Sequence, residues 1–229
     1  MKKLFLVLLL VCAAIYVPLL SKPGLYFNKS MDYKGFTIRA RGQLPASVEG
    51  TLNSAIERIA AAEIYKEGMR FELILPSTRG QFLFFTPLMK GEYFRVNPFN
   101  GVIFLAAADF ASGEARLAPG DPRHRSLSSV ITAAAAWEMT RRRVRPLTYL
   151  FMNEWKVRGY AELLSGGTGE FVPSDACAKT GSPAQQDYRY GLMLETVIKQ
   201  DNTFYGDLLD KNFSRQNAEM RLEKAHCGG

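Results

Sequence analysis

Residues 127–167 constrain the fold more than any other stretch, because they predict two neighbouring helices with a short connection. The first helix is predicted from about Ser126 to Arg143, and the arginines that close it suit the negative end of the helix dipole. Pro146 then stops this helix. The second helix is predicted to begin near Asn153, a residue type that caps helix N-termini. We expect the rest of the chain to be organised around this helical pair.

The second helix carries residues 155–162, which read Trp-Lys-Val-Arg-Gly-Tyr-Ala-Glu. In this stretch the chain resembles a family of exported gluzincin-type zinc peptidases. In that family a helix with a His-Glu-x-x-His motif is followed by Trp-x-x-Glu-Gly-Tyr-Ala-Glu or a close variant. Counting back from Trp155, together with the Leu-Ser-x-x-Ile lead-in at residues 127–131, places the first half of the motif on residues 133–137. The resemblance implies a zincin-like helical core.

The metal-binding positions of the motif hold side chains that cannot bind zinc. The two histidine positions hold Ala133 and Trp137, the catalytic glutamate position holds Ala134, and the third-ligand position holds Arg158. Two histidines at i and i+4 of a helix would coordinate one zinc ion. Methyl and indole groups offer no lone pair for a metal, and a guanidinium group repels a cation. Trp137 is expected either to fill the vacated space or to form an aromatic platform for a ligand. The resemblance therefore implies the scaffold without a metal cofactor.

A second placement of the motif, on residues 137–141, keeps a glutamate at Glu138 but also lacks both histidines. The first placement has the better spacing to Trp155. In the related enzymes an acid at the position of Glu162 orients a ligand histidine, and here we expect an i, i+4 ion pair with Arg158. We expect a catalytically inactive, peptidase-like protein. The alternative is an active metal-dependent peptidase or hydrolase that uses a non-standard site, for example Glu138 or Glu162 with a metal ion.

Short apolar runs predict a small, mostly antiparallel sheet beside the helices, and hence an α+β fold. The predicted strands are Phe36–Ala40, Phe71–Leu75, Gln81–Thr86, Tyr93–Val96 and Val102–Leu105. In gluzincins an edge strand of such a sheet holds an extended substrate. The resemblance therefore implies that an extended peptide or a protein partner could bind here without catalysis. An edge strand that binds nothing is the alternative.

The remaining segments are predicted from helical periodicity and from turn-forming residues. Further helices are predicted at Pro45–Ala62, Tyr188–Lys199, Phe204–Lys211 and Phe213–Ala225, and loops at residues 111–125 and 166–185.

Residues 1–21 are predicted to be a targeting segment, either an uncleaved signal anchor or a signal peptide. Two lysines precede an apolar run of the length that marks the short limit for a membrane-spanning helix. The positive-inside rule then places the rest of the chain on the non-cytoplasmic side, in the cell envelope, or in a secreted form after cleavage. Residues 22–34 are predicted to be a linker, and residues 35–229 a single gluzincin-like domain.

Cysteine usage agrees with an exported domain. One cysteine lies in the targeting segment, and the remaining pair, Cys177 and Cys227, could form a disulfide. Two free thiols are the alternative. The formal net charge of +7 is partly concentrated at the end of the first helix of the pair. It indicates a solvated basic surface, or contact with an anionic membrane or an acidic partner. No nucleic-acid-binding motif accompanies the charge, so no nucleic-acid partner is expected.

Overall fold

The computed structural model confirms the predicted α+β class. Eight α-helices and two β-sheets are present in the part of the chain that it describes. The described residues are 16, 18, 22–87, 89, 91–118, 124–167, 170–178 and 181–228. The predicted targeting segment, residues 1–21, lies outside this set except for Tyr16 and Pro18. Within the described ranges, no helix has both the length and the apolar character needed to cross a membrane.

The described helices are α1 Val48–Ala60, α2 Arg79–Phe85, α3 Leu127–Arg143, α4 Pro146–Phe151, α5 Glu154–Ser165, α6 Pro183–Asp201, α7 Tyr205–Asp210 and α8 Arg215–His226. Six of the eight described helices correspond to predicted helices, and two, α2 and α4, were not predicted as helices. The proline of α4 stands at the start of the helix, where the missing N–H and the fixed φ angle are tolerated. Helix α6 begins five residues earlier than predicted, where Ser182 accepts a hydrogen bond from the amide of Gln185 at 3.2 Å.

The strand predicted at Gln81–Thr86 is wrong, because this segment belongs to helix α2. The Thr78 side chain caps the helix by accepting a hydrogen bond from the amide of Gln81 at 3.1 Å. Phe82 and Phe85, which are three residues apart, both point into a separate aromatic core. The apolar run therefore has the spacing of a short buried helix as well as that of a strand.

The larger sheet is mixed, not mostly antiparallel as predicted. Its strands are β1 Lys29–Tyr33, β2 Phe36–Ala40, β3 Phe71–Leu75, β4 Phe94–Val96 and β5 Ile103–Leu105, in the order β1-β2-β3-β5-β4. Strands β2, β3 and β5 run parallel, while β1 and β4 run antiparallel to their neighbours. Helix α1 connects β2 to β3, and a helical crossover of this kind produces a parallel pair.

Two segments predicted to lack regular structure contain strands. Strand β1 lies within the predicted linker, residues 22–34, and forms a hairpin with β2 through Lys34 and Gly35, whose φ angles are 42° and 89°. The predicted loop at residues 111–125 contributes to a three-stranded antiparallel sheet. Its strands are β6 Ala107–Asp109, β7 Glu114–Arg116 and β8 His124–Ser126. These strands are rich in polar, partly exposed residues, so the apolar runs that marked the other strands are absent from them.

Helix α3 is the centre of the core. It packs against α1, against α5, and against strands β4 and β5. Ala134, Ala135 and Ala136 are fully buried, so their small side chains allow the neighbouring elements to approach α3 closely. Helix α5 in turn packs against α6. The predicted pair of neighbouring helices is therefore present as α3 and α5, and it lies between the sheet and the C-terminal helices.

The predicted cysteine pair is joined in the structure. Cys177 and Cys227 form a disulfide with a Cα–Cα distance of 5.5 Å. It links the 3₁₀ turn Pro173–Cys177 to the residue that follows helix α8. The cross-link holds the C-terminal helix against the segment that precedes α6.

Glu138 is a buried ionic clamp near the C-terminal end of α3. Its carboxylate is fully buried and accepts hydrogen bonds from Arg141 at 2.6 and 2.9 Å and from Arg142 at 2.6 Å. Arg142 also donates to the carbonyl of Arg70, at the start of β3. The carboxylate lies where a Cβ atom on Gly101 would stand, and the φ of +76° at Gly101 also favours glycine. The clamp therefore ties α3 to the N-terminal ends of β3 and β5, which run parallel and lie side by side.

We expect Glu138→Ala to lower the free energy of unfolding by about 2–4 kcal/mol, because it leaves two guanidinium groups without their shared carboxylate. Chemical denaturation followed by circular dichroism measures the change. The matched control is Glu195→Ala, which removes an exposed i, i+4 pair with Lys199 and should cost about 0.5 kcal/mol or less. Equal costs for the two variants would contradict the clamp.

Candidate functional site

An open cavity of about 620 Å³ lies where α3, α5, the first turn of α6 and the segment leading into β4 meet. Its walls include Ala133 and Trp137 from α3, Arg158 and Glu162 from α5, and Asp187 from α6. It has the size of a small-ligand or peptide side-chain site. The helical pair predicted from the sequence therefore forms one side of a cleft.

Three of the four positions assigned to the zinc chemistry line this cavity. Ala133, Trp137 and Arg158 all contribute to its walls. Ala134, in the position of the catalytic glutamate, is fully buried in the core and is not part of the lining. Glu138, from the second placement of the motif, is held in the clamp described above and does not line the cavity.

Trp137 borders the open cavity and does not close it. Its ring is half-buried and makes an edge-to-face contact with Phe94 of strand β4, with ring centroids 5.7 Å apart. Both rings line the cavity. This geometry gives a ligand an aromatic wall to pack against, and it leaves space beside the indole.

The prediction of an ion pair between Arg158 and Glu162 is wrong. Arg158 bonds to Asp187 of α6, with 2.5 Å between Nε and Oδ1. Glu162 bonds to Arg125 of β8, with 3.1 Å between Oε2 and Nη2. Helix α6 lies directly against α5 and brings Asp187 to the guanidinium, so the tertiary partner displaces the local one. Two arginine–carboxylate pairs therefore stand in the wall of the cavity.

Glu162 is the most deeply buried charged side chain of the cavity wall. Its side chain is 6% exposed, and its Oε1 atom has no hydrogen-bond partner among the described residues. Burial raises the pKa of this carboxyl, and the nearby Arg125 guanidinium opposes the rise. Oε2 is therefore satisfied by Arg125, while Oε1 remains an unused acceptor.

The part of the motif that the chain retains serves packing. Trp155 is 1% exposed and packs against Phe213. Tyr160 stacks on Tyr205 with ring centroids 3.8 Å apart. A Cβ atom at Gly159 would lie 2.5 Å from the carbonyl oxygen of Tyr190, so only glycine allows α5 and α6 to come this close. Residues 155–162 therefore hold α5 in place without any need for zinc.

Strand β4 offers a free edge beside the cavity. The carbonyl of Tyr93 accepts a hydrogen bond from the amide of Ala106 at 2.8 Å, on the side of β5. Because successive residues of a strand direct their backbone groups to opposite edges, those of Phe94 and Val96 point away from β5. Within the described sheet no strand pairs with that edge. Gly91 lies against the carbonyl oxygen of Phe94 on this edge. An added extended segment could pair with the amide of Phe94 and with the backbone of Val96.

The sequence analysis missed Arg125, Asp187 and Phe94. Arg125 falls in a predicted loop, and Asp187 lies just before a helix whose start was predicted too late. The pairs that they form span 37 and 29 residues along the chain, so no local periodicity connects the partners. The one available signal was the position of Phe94 in a correctly predicted strand.

The described residues include no group of three or more His, Cys, Asp or Glu side chains that could bind a metal ion. Comparisons of the chain with family models, with curated proteins and with solved structures find no match. The chemistry of the cleft must therefore be argued from its own ion pairs, aromatic wall and free strand edge.

We expect Gly159→Ala to lower the free energy of unfolding by about 2 kcal/mol or more, because the new methyl group forces α5 and α6 apart. Thermal or chemical unfolding measures the change. The matched control is Gly50→Ala in α1, where nothing lies within 4 Å of the added Cβ atom. It should stabilise the protein by about 0.5–1 kcal/mol, since alanine has the higher helix propensity. A stabilised Gly159→Ala variant would show that the helices are not held this closely.

Proposed function

We propose that the chain is a non-catalytic, gluzincin-like protein of the cell envelope that binds an extended peptide or a flexible segment of a protein partner. The observation that supports this proposal is an open cleft whose former zinc positions carry Ala133, Trp137 and Arg158. The cavity is retained, but no histidine or carboxylate stands at these positions. A cleft without ligands for a catalytic metal can still bind what fits it.

The free edge of β4 supplies the binding mode. A peptide that adds to this edge would form main-chain hydrogen bonds with Phe94 and Val96, independently of its sequence. Its side chains would point alternately toward and away from the cavity, because the side-chain period of a strand is two. Trp137 and Phe94 would then pack against the side chains that enter the cavity. Backbone pairing thus gives affinity, and the cavity gives selectivity.

The alternative, a hydrolase with an unusual site, has two candidate acids. Glu138 is fully buried by its two arginines and does not line the cavity. Glu162 does line the cavity, and burial raises its pKa as in many general acids. Its bond to Arg125 favours the ionised form, which opposes that role. Binding and hydrolysis are separated by the experiment that follows.

A library of acetylated, amidated hexapeptides should be bound and not cleaved by the full chain in neutral detergent. Affinity selection with mass spectrometry measures retained peptides and cleavage products in one experiment. Ala184→Trp, at the rim of the cavity, should reduce retention by about tenfold. Ala60→Trp, at an exposed position of α1, is the matched control and should retain the library as the unmodified chain does.

Hydrogen exchange locates the bound peptide. On addition of a selected peptide, the amides of Phe94 and Val96 should exchange at least about tenfold more slowly, because they gain hydrogen bonds. The other edge strand of the same sheet, β1, is the internal control and should be unchanged. Protection at β1 without protection at β4 would refute this binding mode. Cleavage of the library would favour the hydrolase.

The zinc placement can be tested by restoring the ligands. The variant combines Ala133→His, Trp137→His and Arg158→Glu with Asp187→Asn, and the last change removes a negative charge beside the new glutamate. We expect this variant to bind about one zinc ion per chain. The unmodified chain should contain no stoichiometric zinc. Elemental analysis after dialysis measures both.

The control for this test follows the second placement of the motif. It carries Trp137→His and Arg141→His together with Arg158→Glu and Asp187→Asn. It should not bind zinc, because Arg141 belongs to the Glu138 clamp and does not line the cavity. Zinc in the control variant alone would show that the motif is placed four residues too early.

A further inference from the structure

The cavity carries the opposite sign of charge from the rest of the chain. The formal net charge of the whole chain is +7. Carboxylates nevertheless outnumber guanidinium groups in the cavity wall. The carboxylates are Glu92, Glu154, Glu162, Glu170 and Asp187, and the guanidinium groups are Arg125 and Arg158. A cleft that is lined by charges of one sign and has walls of low dielectric constant concentrates ligands of the opposite charge.

The two guanidinium groups do not offset this excess. Arg125 is already paired with Glu162, and Arg158 with Asp187. Glu92 and Glu170, two exposed carboxylates of the described wall, add negative charge beyond these two pairs. Glu92 is exposed, and it lies close enough to Asp187 to disfavour the ionised form of that group. The cavity thus presents a net negative field to anything that enters along β4.

The unused oxygen of Glu162 is an acceptor that a positive ligand group would satisfy. Buried acceptors in folded proteins almost always have a hydrogen-bond donor, and an unsatisfied one costs free energy. Glu162 Oε1 is buried and has no donor among the described residues, while its second oxygen is held by Arg125. A donor that is also a cation would satisfy both the oxygen and the surrounding charge.

The aromatic wall suits the rest of such a ligand. Long basic side chains carry an apolar stem and a charged head, so they pack along apolar surfaces while the head reaches a polar partner. Trp137 and Phe94 provide such a surface in the wall of the cavity that Glu162 also lines. Indole and phenyl faces also attract cations directly.

We infer that the cavity is a selectivity pocket for a basic side chain of the bound peptide, whose ammonium or guanidinium group donates to Glu162 Oε1. This inference rests on the proposed binding of an extended peptide at β4. The peptide backbone pairs with the strand edge, and one of its side chains crosses the aromatic wall to reach the buried carboxylate. The pocket therefore selects lysine or arginine at one position of the peptide.

The test measures dissociation constants by calorimetry at neutral pH and fixed ionic strength, with the full chain in neutral detergent. The probes are acetylated, amidated alanine hexapeptides that carry lysine, arginine, norleucine or glutamate at the third position. A further probe is the all-alanine peptide with a free N-terminus. The lysine or arginine peptide should bind at least about tenfold more tightly than the norleucine peptide, as expected for a hydrogen bond to a charged group.

Substitutions assign this preference to the pocket. Glu162→Gln preserves shape and should reduce the preference to about threefold or less. Glu92→Gln changes an exposed side chain and should reduce it by about twofold through the loss of long-range attraction. Glu57→Gln, at an exposed position of α1, makes the same change of charge away from the cavity and should leave the preference unchanged. Circular dichroism melting curves check that each variant is folded.

The outcomes separate this inference from the proposed function. Equal binding of the lysine, arginine and norleucine peptides would overturn the pocket and leave peptide binding intact. Tight binding of the free-N-terminus peptide alone would overturn the assignment to a side chain. A preference that persists in both Glu162→Gln and Glu92→Gln would also overturn the inference. If none of the peptides binds, and the hexapeptide library is not retained either, both the inference and the proposed function fail.

Discussion

The contact between α5 and α6 is the constraint on which the rest of the cleft depends. Gly159 lies against the backbone of Tyr190, and Gly191 lies against the side chain of Glu162. These two glycines let the helices approach more closely than alanine would allow. The approach places Asp187 beside Arg158 and holds Glu162 in the interior. The charges of the cavity wall are therefore positioned by a steric feature of the helix pair.

This constraint gives residues 155–162 a packing role that needs no metal. They contain the glycine and the aromatic rings that fix α5 against α6 and α7. Ala133 and Trp137 of α3 line the cavity instead. A change at Gly159 would therefore disturb the helix pair itself, whereas a change at Ala133 or Trp137 would alter the wall of the cleft.

The sequence predicted the elements that build the cleft but not the contacts that give it its chemistry. Helices α3 and α5 and strands β3, β4 and β5 follow from local sequence patterns, namely helix-ending residues and short apolar runs between turns, although α3 is buried on most sides and β5 on both faces. The prediction of a strand at Gln81–Thr86 was wrong because a short apolar run of six residues is compatible with a helix as well as with a strand. The partners of Arg158 and Glu162 come from distant segments, and only the folded chain brings them together.

A cleft lined by ion pairs treats ligands differently from a metal centre. A zinc ion attracts any anionic or neutral oxygen, whereas Arg125 and Arg158 are already neutralised by carboxylates and attract little. Main-chain pairing at β4 would hold peptides of any sequence, so discrimination must come from the groups that remain unsatisfied. Within the described wall, Glu162 is the buried carboxylate with an unsatisfied oxygen. Burial makes an unpaired carboxylate costly and a matched donor favourable, so the proposed selectivity depends on Glu162.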